Sequence, residues 1–152
     1  MALLQPGDQA PEFDLEAAGG RVALRDLRGK RVVLYFYPKD DTPGCTKEAC
    51  GFRDSSADIA QAGAVVVGVS PDPVASHRRF ASKYELPFLL ASDPDHQVAS
   101  AYGAWGPKNF MGRAYEGVLR TTYLIDPDGR IARVFPDVTP DGHAQEVLAA
   151  LA

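Results

Sequence analysis

Two uninterrupted runs of β-branched and aromatic residues constrain this chain more than any other feature. Arg31–Tyr37 (RVVLYFY) and Ala64–Ser70 (AVVVGVS) show no polar/apolar alternation. Neither run has a side suited to water, so both belong in a sheet covered on both faces. Between them, Pro38 stops the first strand. Thr42-Pro43 then supplies an N-cap residue followed by proline at the first helical position, where its missing N–H costs nothing. The pattern predicts a helix from Pro43 to about Ala62, ending at Gly63, and with it a strand–helix–strand unit.

The flanking segments extend this reading. Short alternating stretches, Glu12 to Glu16 and Arg21 to Leu24, are joined by Ala-Ala-Gly-Gly and predict an N-terminal β-hairpin. A helix is expected over Pro73 to Tyr84, a short strand over Pro87 to Ala91 and a helical turn near Asp95 to Tyr102. A Gly-rich aromatic segment from Gly103 to Gly117 reads as a loop. Leu119 to Ile125 and Ile131 to Phe135 form an antiparallel pair around the Asp-Pro-Asp-Gly turn, and Pro140 to Ala152 closes the chain as an amphipathic helix. The order is hairpin, βαβαβ, ββα, an α/β fold with a central mixed β-sheet flanked by helices.

Bulk properties exclude several classes. The chain has 152 residues, enough to bury roughly two thirds of its unfolded surface in one core, so a single domain over residues 1–152 is expected. No stretch approaches the run of about 20 apolar residues that a membrane span needs. The start, MALLQPGDQAPEF, has no charged region followed by an apolar one, which makes the cytoplasm the expected location. With 16 Lys and Arg against 20 Asp and Glu, dispersed along the chain, no basic footprint for nucleic acid exists. His77, His96 and His143 lie apart in segments without metal-ligand spacing, so they read as surface or satisfied polar residues; neither a metal nor another cofactor is expected.

The 2 cysteines carry the chemistry. Cys45 falls at the third position of the expected helix, where free N–H groups and the helix dipole favour the thiolate, the reactive form of cysteine. Asp40 and Asp41 oppose that charge unless they point elsewhere, which calls for a nearby cation. Cys50 lies five residues on; in an ideal helix its Cα is roughly 8 to 9 Å from that of Cys45, whereas disulfides need less than about 7 Å. Tyr102, Trp105, Phe110, Met111 and Tyr115 read as packing residues in preference to a pocket wall.

The segment Pro38-x-x-x-Thr42-x-x-Cys45 resembles the active-site motif of the peroxiredoxins. TPGCTKEACGFRD, GVSPD, SDPDHQVASAYGAWG and RTTYLIDPDGRI extend the likeness over nearly the whole chain, toward the bacterioferritin comigratory protein (Q-type) subfamily. The resemblance implies a thioredoxin-like fold and a thiol peroxidase acting on hydrogen peroxide or an alkyl hydroperoxide. It further implies Cys45 as peroxidatic nucleophile, Thr42 and Arg120 as its polar partners, Pro38 as a shield against water, and the Gly44 and Cys45 backbone N–H groups as donors to developing negative charge. Cys50 resembles the resolving thiol that condenses with a Cys45 sulfenic acid. Thioredoxin or a similar dithiol protein is the implied reductant, and a monomer the implied state. Closing the disulfide then requires the first turns of the helix to unwind, helped by Gly44 and Gly51. Two other functions compete: a thioredoxin-like disulfide exchanger, which ordinarily uses Cys-x-x-Cys, and a non-enzymatic redox sensor.

Overall fold

A computed structural model describes residues 3–152. Its elements are β1 (Asp14–Ala17), β2 (Gly20–Ala23), β3 (Arg31–Phe36), α1 (Pro43–Asp54), α2 (Ser56–Gln61), β4 (Ala64–Ser70), α3 (Val74–Tyr84), β5 (Leu89–Ser92), α4 (Gln97–Ala101), β6 (Trp105–Phe110), β7 (Arg113–Val118), β8 (Thr121–Ile125), β9 (Ile131–Phe135) and α5 (His143–Leu151). Seven strands form one mixed sheet in the order β2-β1-β5-β4-β3-β8-β9, with β3 parallel to β4 and antiparallel to β8.

The lack of alternation in β3 and β4 follows from burial on both sides. Val32, Leu34 and Phe36 enter one core with Phe13, Leu24, Ala99 and Tyr102. Val33 and Tyr35, with Tyr37 just beyond the strand, enter the other with Ala49 and Phe52 of α1, Phe80 of α3 and Val147 and Leu151 of α5. Each such side chain contributes roughly 1.5–3 kcal/mol when fully buried, so β3 alone commits the chain to a layered helix–sheet–helix arrangement.

Two expectations need correction. The helix predicted from Pro43 to Ala62 is broken at Ser55, whose φ of −99° and ψ of 5° leave the helical region. Asp54-Ser55-Ser56 is a run of short polar side chains that compete for backbone hydrogen bonds, and the buried Ser55 hydroxyl accepts from Gln145 Nε2 of α5 at 3.4 Å. The segment read as a loop from Gly103 to Gly117 contains a two-stranded β-hairpin, β6 paired with β7 from Trp105↔Val118 to Phe110↔Arg113. Its turn is Met111-Gly112, both at positive φ (53° and 79°), the two-residue geometry that matches strand twist. With methionine in a place usually held by Asn or Asp, the turn carries no strong sequence signal.

No helix among the described residues is long and apolar enough to cross a membrane.

Candidate active site

Strand β3 ends at Phe36, and Tyr37-Pro38 carries the chain off the end of this interior strand toward α1. Thr42 stands in the N-cap position with extended backbone (φ −95°, ψ 156°) and Pro43 follows at the first helical position, as the sequence predicts. The expected capping hydrogen bond is not made: the Thr42 hydroxyl donates to the Lys39 carbonyl at 2.9 Å. The N–H groups of Gly44 and Cys45, in the uncapped first turn, have no intrahelical acceptor and keep the helix's positive end open toward the thiol.

Cys45 is buried at 1% exposure, and both cysteines are free thiols. Arg120, in the link between β7 and β8, reaches it: Nη2 donates to Cys45 Sγ at 3.4 Å and Nη1 donates to Glu48 Oε1 at 2.7 Å. Arg120 approaches so closely that a Cβ on residue 44 would stand 3.3 Å from its Nη2 and 3.5 Å from Pro140 Cγ; Gly44 leaves room for the guanidinium. Register explains the cation's place. Phe36 pairs with Thr121 across β3 and β8, which sets Arg120 beside the end of β3, where α1 begins.

Glu48 is a residue of this site that the sequence reading missed. It lies one turn beyond Cys45, on the same helix face by i, i+3 spacing, and that spacing was the available signal. Its side chain is wholly buried; Oε1 accepts from Arg120, while Oε2 has no hydrogen-bond partner among the described residues. Burial pushes its carboxyl up to about 7 despite the pull of Arg120. Tyr35 lies in the same electrostatic neighbourhood. Burial, then the charges of Glu48 and Cys45, push its phenol far above the ordinary range, and its hydroxyl is likewise unpartnered. Lys108 of β6 borders the site: burial, then the charge of Arg120, depress its ammonium, while Cys45 opposes the change.

The two aspartates that seemed to threaten a thiolate point elsewhere. Asp40 turns into a buried cluster, accepting from Tyr37 Oη at 2.6 Å and Ser76 Oγ at 2.8 Å, and meeting His77 Nδ1 at 2.7 Å. Burial raises its carboxyl, but the hydrogen bonds from His77 and Tyr37 outweigh this and hold it below the ordinary value. Asp41 accepts from Lys83 and Tyr84, each at 2.8 Å. The cation the thiol needs is therefore not diverted to either.

Pro38 is half-buried at the turn out of β3, and Cys50 is half-buried farther along α1. His77 and His143 are satisfied polar residues, as expected, but both are buried rather than on the surface. His143 Nε2 lies 2.8 Å from Thr122 Oγ1 and its Nδ1 2.9 Å from Glu146 Oε1. Among the five residues read as packing, that reading describes Tyr102, which is fully buried. It does not describe Phe110, Met111 and Tyr115, which are 66%, 90% and 47% exposed on the β6–β7 hairpin.

The chain is similar to known proteins over most of its length. Residues 6–134 match the AhpC/TSA family. The chain is 52% identical over 149 residues to the putative peroxiredoxin Bcp of Coxiella burnetii, covering 97% of this chain and 99% of that one. It is 48% identical to peroxiredoxin Bcp of Escherichia coli, covering 95% and 94%. Among solved structures, Xanthomonas campestris peroxiredoxin Q superposes with a TM-score of 0.88 at 38% identity, covering 99% of this chain and 95% of that one. A Xylella fastidiosa PrxQ mutant gives 0.93 at 35% identity, covering 99% and 97%. A mixed sheet flanked by helices, a cysteine in the first turn of α1 with an arginine on its sulfur, and these likenesses converge: the chain belongs to the AhpC/TSA family, among the thioredoxin-fold peroxiredoxins of the Bcp and Q type, which are thiol-dependent peroxidases.

Proposed function

We propose that Cys45 is the peroxidatic nucleophile, that it reduces hydrogen peroxide and organic hydroperoxides, and that Cys50 resolves its sulfenic acid as an intramolecular disulfide. The observation that carries this reading is the 3.4 Å contact from Arg120 Nη2 to Cys45 Sγ at an uncapped helix start. A fixed cation and free N–H groups favour negative charge on sulfur and, in the transition state, on the departing oxygen. A Xanthomonas campestris bacterioferritin comigratory protein in the same structural group is described by its alkyl peroxide reduction activity, which supports extending the substrates beyond hydrogen peroxide.

The remaining roles follow the geometry. With its proton engaged by the Lys39 carbonyl, the Thr42 hydroxyl presents its lone pairs to an incoming peroxide O–H. Pro38 limits water at the mouth of the site. Gly44 and Cys45 N–H groups receive the charge that leaves with the O–O bond. Attack forms the S–O bond of a Cys45 sulfenic acid and releases an alcohol or water; the Cys50 sulfur then attacks the Cys45 sulfur, an S–S bond replaces the S–O bond, and the hydroxyl leaves with the thiol proton as water. Both thiols stand on the unbroken α1, so closing the bond requires α1 to open between them. Thioredoxin or a similar dithiol protein reduces the disulfide, in the cytoplasm, on a monomeric enzyme.

The test follows peroxide consumption coupled to thioredoxin, thioredoxin reductase and NADPH. Cys45→Ser is expected to abolish turnover. Cys50→Ser is expected to form one equivalent of sulfenic acid and then recycle poorly. Turnover of Cys45→Ser at the wild-type rate would defeat the assignment, and an α1 equally intact in the reduced and disulfide forms would defeat the opening step.

A further inference from the structure

Arg120 has two arms and a potential anion on each. One guanidinium offers a single positive charge, yet it bonds both Cys45 Sγ and Glu48 Oε1. The Glu48 side chain is wholly buried and its second oxygen has no partner among the described residues. An ionised carboxylate with one oxygen unpaired, beside a thiolate drawing on the same cation, is an expensive arrangement, since a buried charge needs full pairing. A carboxylic acid in that place is much less costly.

We infer that Glu48 is the proton store of the thiol chemistry: it holds a proton while Cys45 is a thiolate and surrenders it when the sulfur loses its charge. Arg120 then faces one negative charge in both states. The inference rests on the assignment of Cys45 as the attacking thiolate.

The step balances. The thiolate attacks the distal peroxide oxygen, an S–O bond forms and the O–O bond breaks. Sulfur is oxidised by two electrons and the peroxide is reduced by two. The departing alkoxide or hydroxide ends with the proton Glu48 releases, and the negative charge that began on Cys45 ends on the Glu48 carboxylate. When the disulfide is later reduced and Cys45 becomes a thiolate again, Glu48 takes up a proton.

The surroundings fit such an exchange. Besides Cys45 on α1 and Arg120 before β8, Glu48 faces the Tyr35 phenol from β3, which senses Glu48, Cys45 and Arg120 together. Lys108 from β6 and His143 from α5 both lie within the field of Arg120. Asp40, the other buried carboxylate beside this segment, is occupied by its own donors. No second guanidinium or ammonium is bonded to Glu48 among the described residues. The raised affinity of its carboxyl for a proton, produced by burial, places the exchange in the working range of a neutral solution.

The test uses full-length Cys50→Ser protein, in which a sulfenic acid formed on Cys45 persists. One equivalent of hydrogen peroxide is added near neutral pH, and infrared difference spectra are recorded while mass spectrometry follows Cys45. The expected result is loss of one protonated-carboxyl band as the sulfenic acid forms, absent from Cys50→Ser/Glu48→Gln. In the Cys50-containing protein, Glu48→Gln keeps the size and the acceptor toward Arg120 but cannot give up a proton. Its rate of Cys45 oxidation should fall on the order of a hundredfold, the low end of what positioned proton transfer supplies, and should lack the decline expected of wild type as Glu48 ionises with rising pH. A sulfenic acid forming with no carboxyl change would overturn the inference and leave the peroxidase assignment standing. Failure of Cys45 to oxidise at all would overturn the assignment itself.

Discussion

Two buried charged clusters flank the segment from Pro38 to Cys45, and they are built in opposite ways. In the first, Asp40 meets Tyr37, Ser76 and His77, and His77 Nε2 in turn lies 3.0 Å from the Ala91 carbonyl. The His77 ring thus meets Asp40 and, at 3.3 Å, Tyr37 Oη through Nδ1 and a backbone carbonyl through Nε2. Among the described residues, no buried side-chain oxygen or nitrogen of that cluster is left over. In the second, Cys45, Arg120 and Glu48 share one cation between two acids, and the unpaired oxygens of Glu48 and Tyr35 lie beside them. Full pairing makes a lock, which ties the active-site segment to α3 and β5. Incomplete pairing leaves groups whose protonation can change during a reaction, and that is where a peroxide must be met.

The contrast can be broken from either side. The largest expected effect is on the locked cluster. Asp40→Ala removes the acceptor from buried Tyr37 and His77 and from half-buried Ser76 and should cost about 3–5 kcal/mol of stability, read from chemical denaturation. A loss under about 1 kcal/mol would show that the cluster is not a lock. Next comes Arg120→Met, which takes the cation from both acids and should slow Cys45 oxidation by on the order of 10²–10³-fold, measured by stopped-flow mixing with peroxide; an unchanged rate constant would remove Arg120 from the chemistry.

The two clusters should also answer pH with opposite signs. Asp40 is held below its ordinary value of 3.8, so the stability it contributes is present above that pH and lost as pH falls through its folded value. Glu48 is raised from 4.5 to about 7; the folded chain binds its proton more tightly than the unfolded one. Stability should therefore fall as pH rises across that interval, by at most about 3 kcal/mol. Glu48→Gln should flatten the fall, read as the difference in unfolding free energy between variant and wild type at the two ends of the interval. A parallel pair of curves would refute the sign.

The smallest effect concerns the opening of α1. Gly51→Ala places a methyl group 3.4 Å from Ala144 Cβ and strengthens the helix by about 1 kcal/mol. Disulfide closure after peroxide should slow about fivefold, with sulfenic acid formation untouched. A closure rate that did not change would locate the opening elsewhere.

Much of this was legible in the residues. Two-sided burial of β3 and β4 follows from runs without polar/apolar alternation, and the start of α1 from Thr42-Pro43. The identity of Cys45 as a residue at a helix start needs nothing further. What was not legible has a common cause in tertiary partners. Arg120 is one of many basic residues until the β3–β8 pairing carries it across 75 positions of sequence to the cysteine. The direction taken by Asp40 depends on His77, 37 positions away. Thr42 reads equally well as a capping residue, and its turn toward Lys39 depends on loop geometry that no local pattern encodes. The Met111-Gly112 hairpin turn lacked the usual residues, so the strands on either side were read as loop.

The β3–β8 register governs more than the fold. Side chains alternate along a strand, so Arg120 shares its side of the sheet with Thr122 and Leu124, and Leu124 packs in the same core as Cys45. Inserting a single residue between Arg120 and Thr121 would send the guanidinium to the opposite face while leaving every cysteine in place. Length changes at the exposed Met111-Gly112 tip carry no such consequence, because both arms of that hairpin end before Arg120. Lineages of this protein should therefore vary freely in length at the tip and almost never at the junction of Arg120 and Thr121, and a loop graft intended to retune the enzyme belongs at the former.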